Sequence, residues 1–227
     1  MNLKIKPPKT LIEERFQFIT NQWSEISIPQ QVENVCKGGG KWVQLRLKDT
    51  DIETWINIGA DVKSICREYG AKFIVNDHVE FAFRVNADGV HLGKEDMAPE
   101  KARQFLGEGK IIGGTANSAE EITELSQKGV NYVGLGPFRH TTTKQKLSPT
   151  LGLEGFQYTM NVLNTHEIKL PVFGIGGIEP SDIEELATTG IYRVVVSSSL
   201  ANSDNIEKST KEFIHKLKLT NQYANHR

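Results

Sequence analysis

Short runs rich in β-branched and aromatic residues alternate along this chain with longer segments whose apolar positions recur at helical spacing. The runs 16–19, 42–47, 73–75, 89–91, 110–113, 132–134, 172–174 and 193–196 read as strands. Segments 52–69, 119–128, 153–163 and 182–188 carry spaced apolar residues and a charged face, and read as amphipathic helices. Strands separated by helices pair in parallel through right-handed crossovers, because a parallel neighbour cannot be reached by a tight turn. The pattern predicts an α/β protein.

A doubly wound open sheet has the same alternation. The positions of the polar residues favour a single-domain (β/α)8 TIM barrel over residues 1–227. Nearly every strand ends in a polar or glycine-rich cluster: Gln44-Leu45-Arg46-Leu47-Lys48, Asn76-Asp77, His91-Leu92-Gly93, Gly136-Pro137, Gly174-Ile175-Gly176-Gly177 and Ser197-Ser198-Ser199. Chemistry spread over the carboxyl ends of many strands belongs to a barrel, whereas an open sheet gathers it at one switch point. Residues 1–14 read as a polar lead-in, 139–150 as an active-site loop without apolar periodicity, and 220–227 as a frayed end.

Composition narrows the function classes. The 227 residues carry 27 Lys and Arg against 28 Asp and Glu, a formal charge of −1. A chain so nearly neutral has no global field to attract nucleic acid or anionic membrane, and partners of either kind are not expected. No apolar run approaches the roughly 18 residues that span a bilayer, and residues 1–10 lack a signal-peptide core. A cytoplasmic location is the expectation. Cys36 and Cys66 sit among apolar neighbours in helix-like segments and read as buried free thiols.

Any anion must therefore be held by local groups. On a strand, Gln44, Arg46 and Lys48 fall at i, i+2 and i+4 and share one face. Inside a barrel two cations there require an anion, whereas on an edge strand they would be a solvated face. Asp77 and Asp96 closely follow neighbouring strands and can share a hard cation with phosphate oxygens. Taken singly, each also fits a turn or a helix cap, and Asp96 precedes a helix start near Pro99. Gly174–Ile178 and Ser197–Ser199 follow the seventh and eighth strands, the two loops from which barrels build phosphate sites. His91, taken alone, reads as a satisfied core histidine. Nothing supports acyl transfer by a Ser–His–Asp or Cys–His arrangement.

Together these residues resemble the thiamine-phosphate synthase family from about Phe16 to Leu200. The matches are Gln44-x-Arg46-x-Lys48, Asn76-Asp77, His91-Leu92-Gly93-x-x-Asp96, Gly136-Pro137-x-x-x-Thr141-x-Thr143-Lys144 and Gly174-Ile175-Gly176-Gly177-Ile178. The resemblance implies a Mg2+-dependent transferase that condenses 4-amino-5-hydroxymethyl-2-methylpyrimidine diphosphate with 4-methyl-5-hydroxyethylthiazole phosphate. Its products would be thiamine phosphate and pyrophosphate, by dissociative substitution. By similarity Arg46, Lys48 and Lys144 are catalytic, stabilising the departing pyrophosphate, and Asp77 and Asp96 hold the metal. Asn76 would contact pyrophosphate; Gln44 and Thr115 would face the pyrimidine, with His91 nearby. Thr141, Thr143, Gly177, Ser197 and Ser198 would hold the thiazole phosphate.

Four departures stand out: Lys94 in place of glutamine, Thr115 for serine, Asn117 for histidine, and Arg139-His140 for Phe-Pro. None removes a diphosphate or metal ligand. The alternatives on the same barrel are a thiazole tautomerase and a non-catalytic binder of thiazole or thiamine phosphate. Arg46, Lys48, Asp77, Asp96 and Lys144 together argue against the tautomerase, which needs no diphosphate. A homodimer through the outer helices is compatible with the sequence.

Overall fold

The computed structural model describes residues 14–141 and 149–220. Eight parallel strands close on themselves in sequence order: β1 (Phe16–Ile19), β2 (Trp42–Leu45), β3 (Lys72–Asn76), β4 (Gly89–Leu92), β5 (Ile111–Ala116), β6 (Tyr132–Leu135), β7 (Val172–Ile175) and β8 (Val194–Val196). β1 pairs with β8 through Phe16–Val194 and Phe18–Val196, which removes every sheet edge. Each of the eight expected strands is present, and most of their ends fall within a residue of the expectation. Two displacements matter. β2 stops at Leu45 rather than running to 47, and β5 continues to Ala116, taking in Thr115.

Helices surround the barrel: α1 (Ile28–Lys37), α2 (Ile52–Glu68), α3 (Val79–Arg84), α4 (Pro99–Leu106), α5 (Ala119–Gln127), α6 (Gly152–Thr165), α7 (Ile183–Thr188), α8 (Ser198–Ala201) and α9 (Ile206–Leu219). Their starts are set locally. Asp51 accepts the Thr54 amide at 2.9 Å, Ser118 that of Glu121 at 3.3 Å and Asn205 that of Lys208 at 2.9 Å. α2 buries Trp55, Gly59, Val62 and Cys66, one face at spacings of four, three and four. Cys36 and Cys66 are both buried and free.

The two-residue period of the strands divides the apolar residues into two cores. Outward positions such as Phe18, Val43, Leu45, Phe73, Val75 and Val133 pack beneath the helices. Inward positions Ile19, Trp42, Ile74, Ile111, Tyr132, Phe173 and Val195 fill the barrel itself. Trp42 meets Tyr132 and Phe173 edge-on, with ring centroids 4.8 and 5.1 Å away. Gly113 makes room for this: a Cβ there would lie 2.3 Å from the Tyr132 ring and 2.6 Å from His91 Nδ1. The aromatic plug fills the lower barrel, so inward polar residues gather above it, at the carboxyl ends of the strands.

Candidate active site

Gln44, Asn76, His91 and Thr115 occupy the upper inward positions of β2 to β5, and the ladder places Asn76 beside His91. His91 is 7% exposed and bridges two groups, with Nδ1 3.0 Å from the Tyr132 hydroxyl and Nε2 3.0 Å from Thr115 Oγ1. Tyr132 also accepts from Gln17 Nε2 at 3.1 Å. The tautomer sets both directions: a ring proton on Nε2 makes Thr115 the acceptor, and one on Nδ1 makes Tyr132 the acceptor. Burial pushes the Tyr132 phenol up, which keeps it neutral. Gln44 is 1% exposed, and neither polar atom of its amide has a hydrogen-bond partner among the described residues. A buried amide lacking partners is costly unless a ligand meets it.

The cations lie higher. β2 ends at Leu45, and Arg46 and Lys48 follow it half-buried at the barrel mouth. Lys48 Nζ pairs with Asp77 Oδ2 at 2.5 Å. Among the described residues Arg46 has no carboxylate at ion-pair distance; its guanidinium carbon lies 5.5 Å from the Trp23 ring centroid. Burial lowers its pKa without discharging it.

Asp77 and Asp96 face one another. Asp77 follows β3 with φ of +64°, a left-handed conformation that aspartate tolerates, while its amide still bonds His91 O at 2.8 Å. Burial works against its ionised form, but Lys48 and the Asp96 carboxyl group outweigh that and hold it below the usual range. Asp96 goes the other way: burial first, and then the facing Asp77, push it up to about 6. It is no helix cap, for α4 begins after Ala98, and its Oδ2 instead accepts the Gly93 amide at 2.6 Å. Two carboxyl groups that compete for one proton suit a hard divalent cation in its place. No group of three or more His, Cys, Asp or Glu is placed to hold a metal among the described residues, so phosphate and water oxygens would complete its shell.

Across the mouth, Gly176 and Gly177 take φ of +104° and +64° at the end of β7, and a Cβ on Gly176 would strike Pro137 at 2.7 Å. Ser197 Oγ, after β8, is buried without a hydrogen-bond partner among the described residues, and Ser198 opens α8. Ser199 is occupied with Ile178 O at 2.9 Å. Thr141 is half-buried; Thr143 and Lys144 lie outside the described residues.

Three of the departures have partners that the sequence reading missed. Glu121 binds Lys94 Nζ through one oxygen and the Asn117 amide, at 2.7 Å, through the other. Asn117 Nδ2 reaches Gly136 O at 2.7 Å and Pro149 O at 3.1 Å. Lys94 is thus directed at Glu121 rather than adding charge beside the acid pair. Arg139 forms a two-pronged pair with Asp182 at 2.6 and 2.5 Å and also donates to Gly177 O at 2.8 Å. Tyr132 and Gln17 were missed as well. Their signal was a single glutamine at an inward position of an otherwise apolar strand.

A closed parallel barrel with an acid pair, two cations and a glycine-serine cradle at its strand ends defines a phosphate-handling (β/α)8 enzyme. Residues 16–200 match the family model described as thiamine monophosphate synthase. The thiamine-phosphate synthase of Flavobacterium psychrophilum is 45% identical over 182 residues, 79% of this chain and 88% of the relative. That of Bacteroides thetaiotaomicron is 40% identical over 199 residues, 88% and 95% of the two chains. The solved thiamine phosphate pyrophosphorylase of Pyrococcus furiosus superposes with a TM-score of 0.81 at 30% identity, over 92% of this chain and 98% of that one. The chain belongs to the thiamine monophosphate synthase family and is a transferase of thiamine biosynthesis.

Proposed function

We propose that the chain joins 4-amino-5-hydroxymethyl-2-methylpyrimidine diphosphate to 4-methyl-5-hydroxyethylthiazole phosphate, with Mg2+ at Asp77 and Asp96. The observation that carries this reading is the facing acid pair with Lys48 and Arg46 on the same rim. When bound, Mg2+ would neutralise charge on the diphosphate oxygens. Arg46 and Lys48 sit where they can hold the same group, with Asn76 beside them, and Lys144 joins them on the strength of the sequence match. The bond between the pyrimidine methylene carbon and the diphosphate oxygen breaks, and its electron pair leaves with pyrophosphate. The thiazole nitrogen lone pair then forms the new carbon–nitrogen bond. This scheme asks for no strong base, and the mouth offers fixed positive charge instead.

Gln44 and the hydroxyl of Thr115 would orient the pyrimidine ring over His91. The Ser197 hydroxyl, the Gly177 and Ser198 amides, Thr141 and Thr143 would hold the thiazole phosphate. The test is formation of thiamine phosphate and pyrophosphate from the two substrates, with and without Mg2+. Equimolar, Mg2+-dependent products are expected; tight thiazole phosphate binding without product would move the assignment to a tautomerase or a binder.

A further inference from the structure

We infer that the loop after β1 is a positioning device for the diphosphate-binding cations, with Trp23 holding the Arg46 guanidinium in orientation without neutralising it. The inference rests on the functional reading above and deepens it. Three observations carry it. The β1–β2 backbone ladder runs out at the Thr20 amide, which reaches Gln44 O at 3.0 Å. Beyond that point side chains continue it. Thr20 Oγ1 accepts the Arg46 amide at 2.9 Å and donates to Arg46 O at 3.3 Å. Gln22 Oε1 accepts the Lys48 amide at 2.6 Å, while Gln22 Nε2 donates to Lys48 O at 2.9 Å. Both backbone groups of both cationic residues are thus fixed by alternate positions of one loop. These two rungs extend the register of β2 past its end.

The loop is itself anchored. Gln31 on α1 is fully buried; it accepts the Asn21 amide at 3.0 Å and donates to Asn21 O at 2.8 Å and Ile26 O at 2.7 Å. Asn21 Oδ1 in turn accepts the Trp23 amide at 3.2 Å. Trp23 is nevertheless 60% exposed, an unusual place for an indole unless its face has a task. A carboxylate would hold a guanidinium equally still, but it would cancel the charge and occupy the donors. An aromatic face orients the same group and leaves its five N–H donors for oxygens of an anion. Lys48 makes the contrast, since Asp77 already engages it.

Trp23→Ala tests the inference. An exposed cation–π contact is worth about 1 kcal/mol, so the apparent KM for the pyrimidine diphosphate is expected to rise about fivefold. The KM for thiazole phosphate should not change. Tm should move by less than about 2 °C, because the ring is mostly in solvent. Trp23→Phe should recover most of the loss. An unchanged diphosphate KM, or an equal rise in both KM values, would overturn the inference. A second readout needs no turnover. Trp42 and Trp55 are buried, so Mg2+ and pyrophosphate titrated into the full chain should shift tryptophan emission through Trp23. Trp23→Phe should abolish that shift, and a shift that persists counts against the role. Absence of product from the wild-type chain would defeat the functional reading instead, and the pyrophosphate titration would still test the loop.

Discussion

Replacing Asp96 with asparagine should make the metal-free protein more stable and the enzyme inactive. The Asp96 carboxyl is pushed up to about 6 because burial and the facing Asp77 oppose its charge, against an ordinary value near 3.9. A rise of about two units corresponds to a ceiling of about 3 kcal/mol of destabilisation once the group is ionised. Solvent screening at a half-exposed carboxyl reduces this to about 1 kcal/mol. The sign is that of an acid whose folded pKa is raised. The penalty is absent below about pH 4, grows as pH rises through 6, and is complete above it. The substituted amide would still offer an oxygen to the Gly93 N–H, so the loop bond is kept. In chelator at pH 8, Asp96→Asn should therefore melt about 2–4 °C above the wild type, and the gain should vanish near pH 4. Mg2+ with pyrophosphate should raise the wild-type Tm and leave that of the variant unmoved, while turnover falls by at least about 10²-fold. Thermal melts over this pH range, beside a pyrophosphate-release assay, measure all of it. A variant that melts lower at pH 8, or one that keeps Mg2+-dependent turnover, would refute the reasoning.

Other substitutions separate the parts of the site. Asp77→Asn removes the partner of Lys48 and half of the acid pair, and should abolish turnover while calorimetry finds thiazole phosphate affinity nearly unchanged. Ser197→Ala deletes a hydroxyl that bonds nothing among the described residues; Tm should hold or rise, while the thiazole phosphate KM increases roughly tenfold. Tyr132→Phe strips the partner of both Gln17 and His91, so about 1–3 kcal/mol of stability should be lost in chemical denaturation. The pyrimidine diphosphate KM should rise with it, because the His91 ring loses the contact that holds its Nδ1 side.

The barrel was legible because the period-2 and period-3.6 patterns are long, regular and punctuated by polar strand ends. The acid pair was legible as two carboxylates at neighbouring strand ends able to share a cation; the left-handed turn at Asp77 was not, since sequence spacing does not reveal it. The end of β2 was misjudged by two residues, because Leu47 and the alternation around it continue a strand-like pattern after the backbone ladder has ceased. Glu121, Asp182 and Trp23 looked like ordinary surface residues. Their partners Lys94, Arg139 and Arg46 come from the neighbouring strand–helix unit, and parallel pairing of adjacent strands brings them together.

The aromatic plug also governs traffic. With Trp42, Tyr132 and Phe173 closing the lower barrel, the interior formed by the described residues is a well with one opening rather than a channel. Two substrates and two products must share that rim, and whatever lodges on the cations obstructs everything beneath it. With pyrophosphate on Arg46 and Lys48 as proposed, pyrimidine delivery and pyrophosphate escape would exclude one another, and accumulated pyrophosphate should compete with the incoming diphosphate.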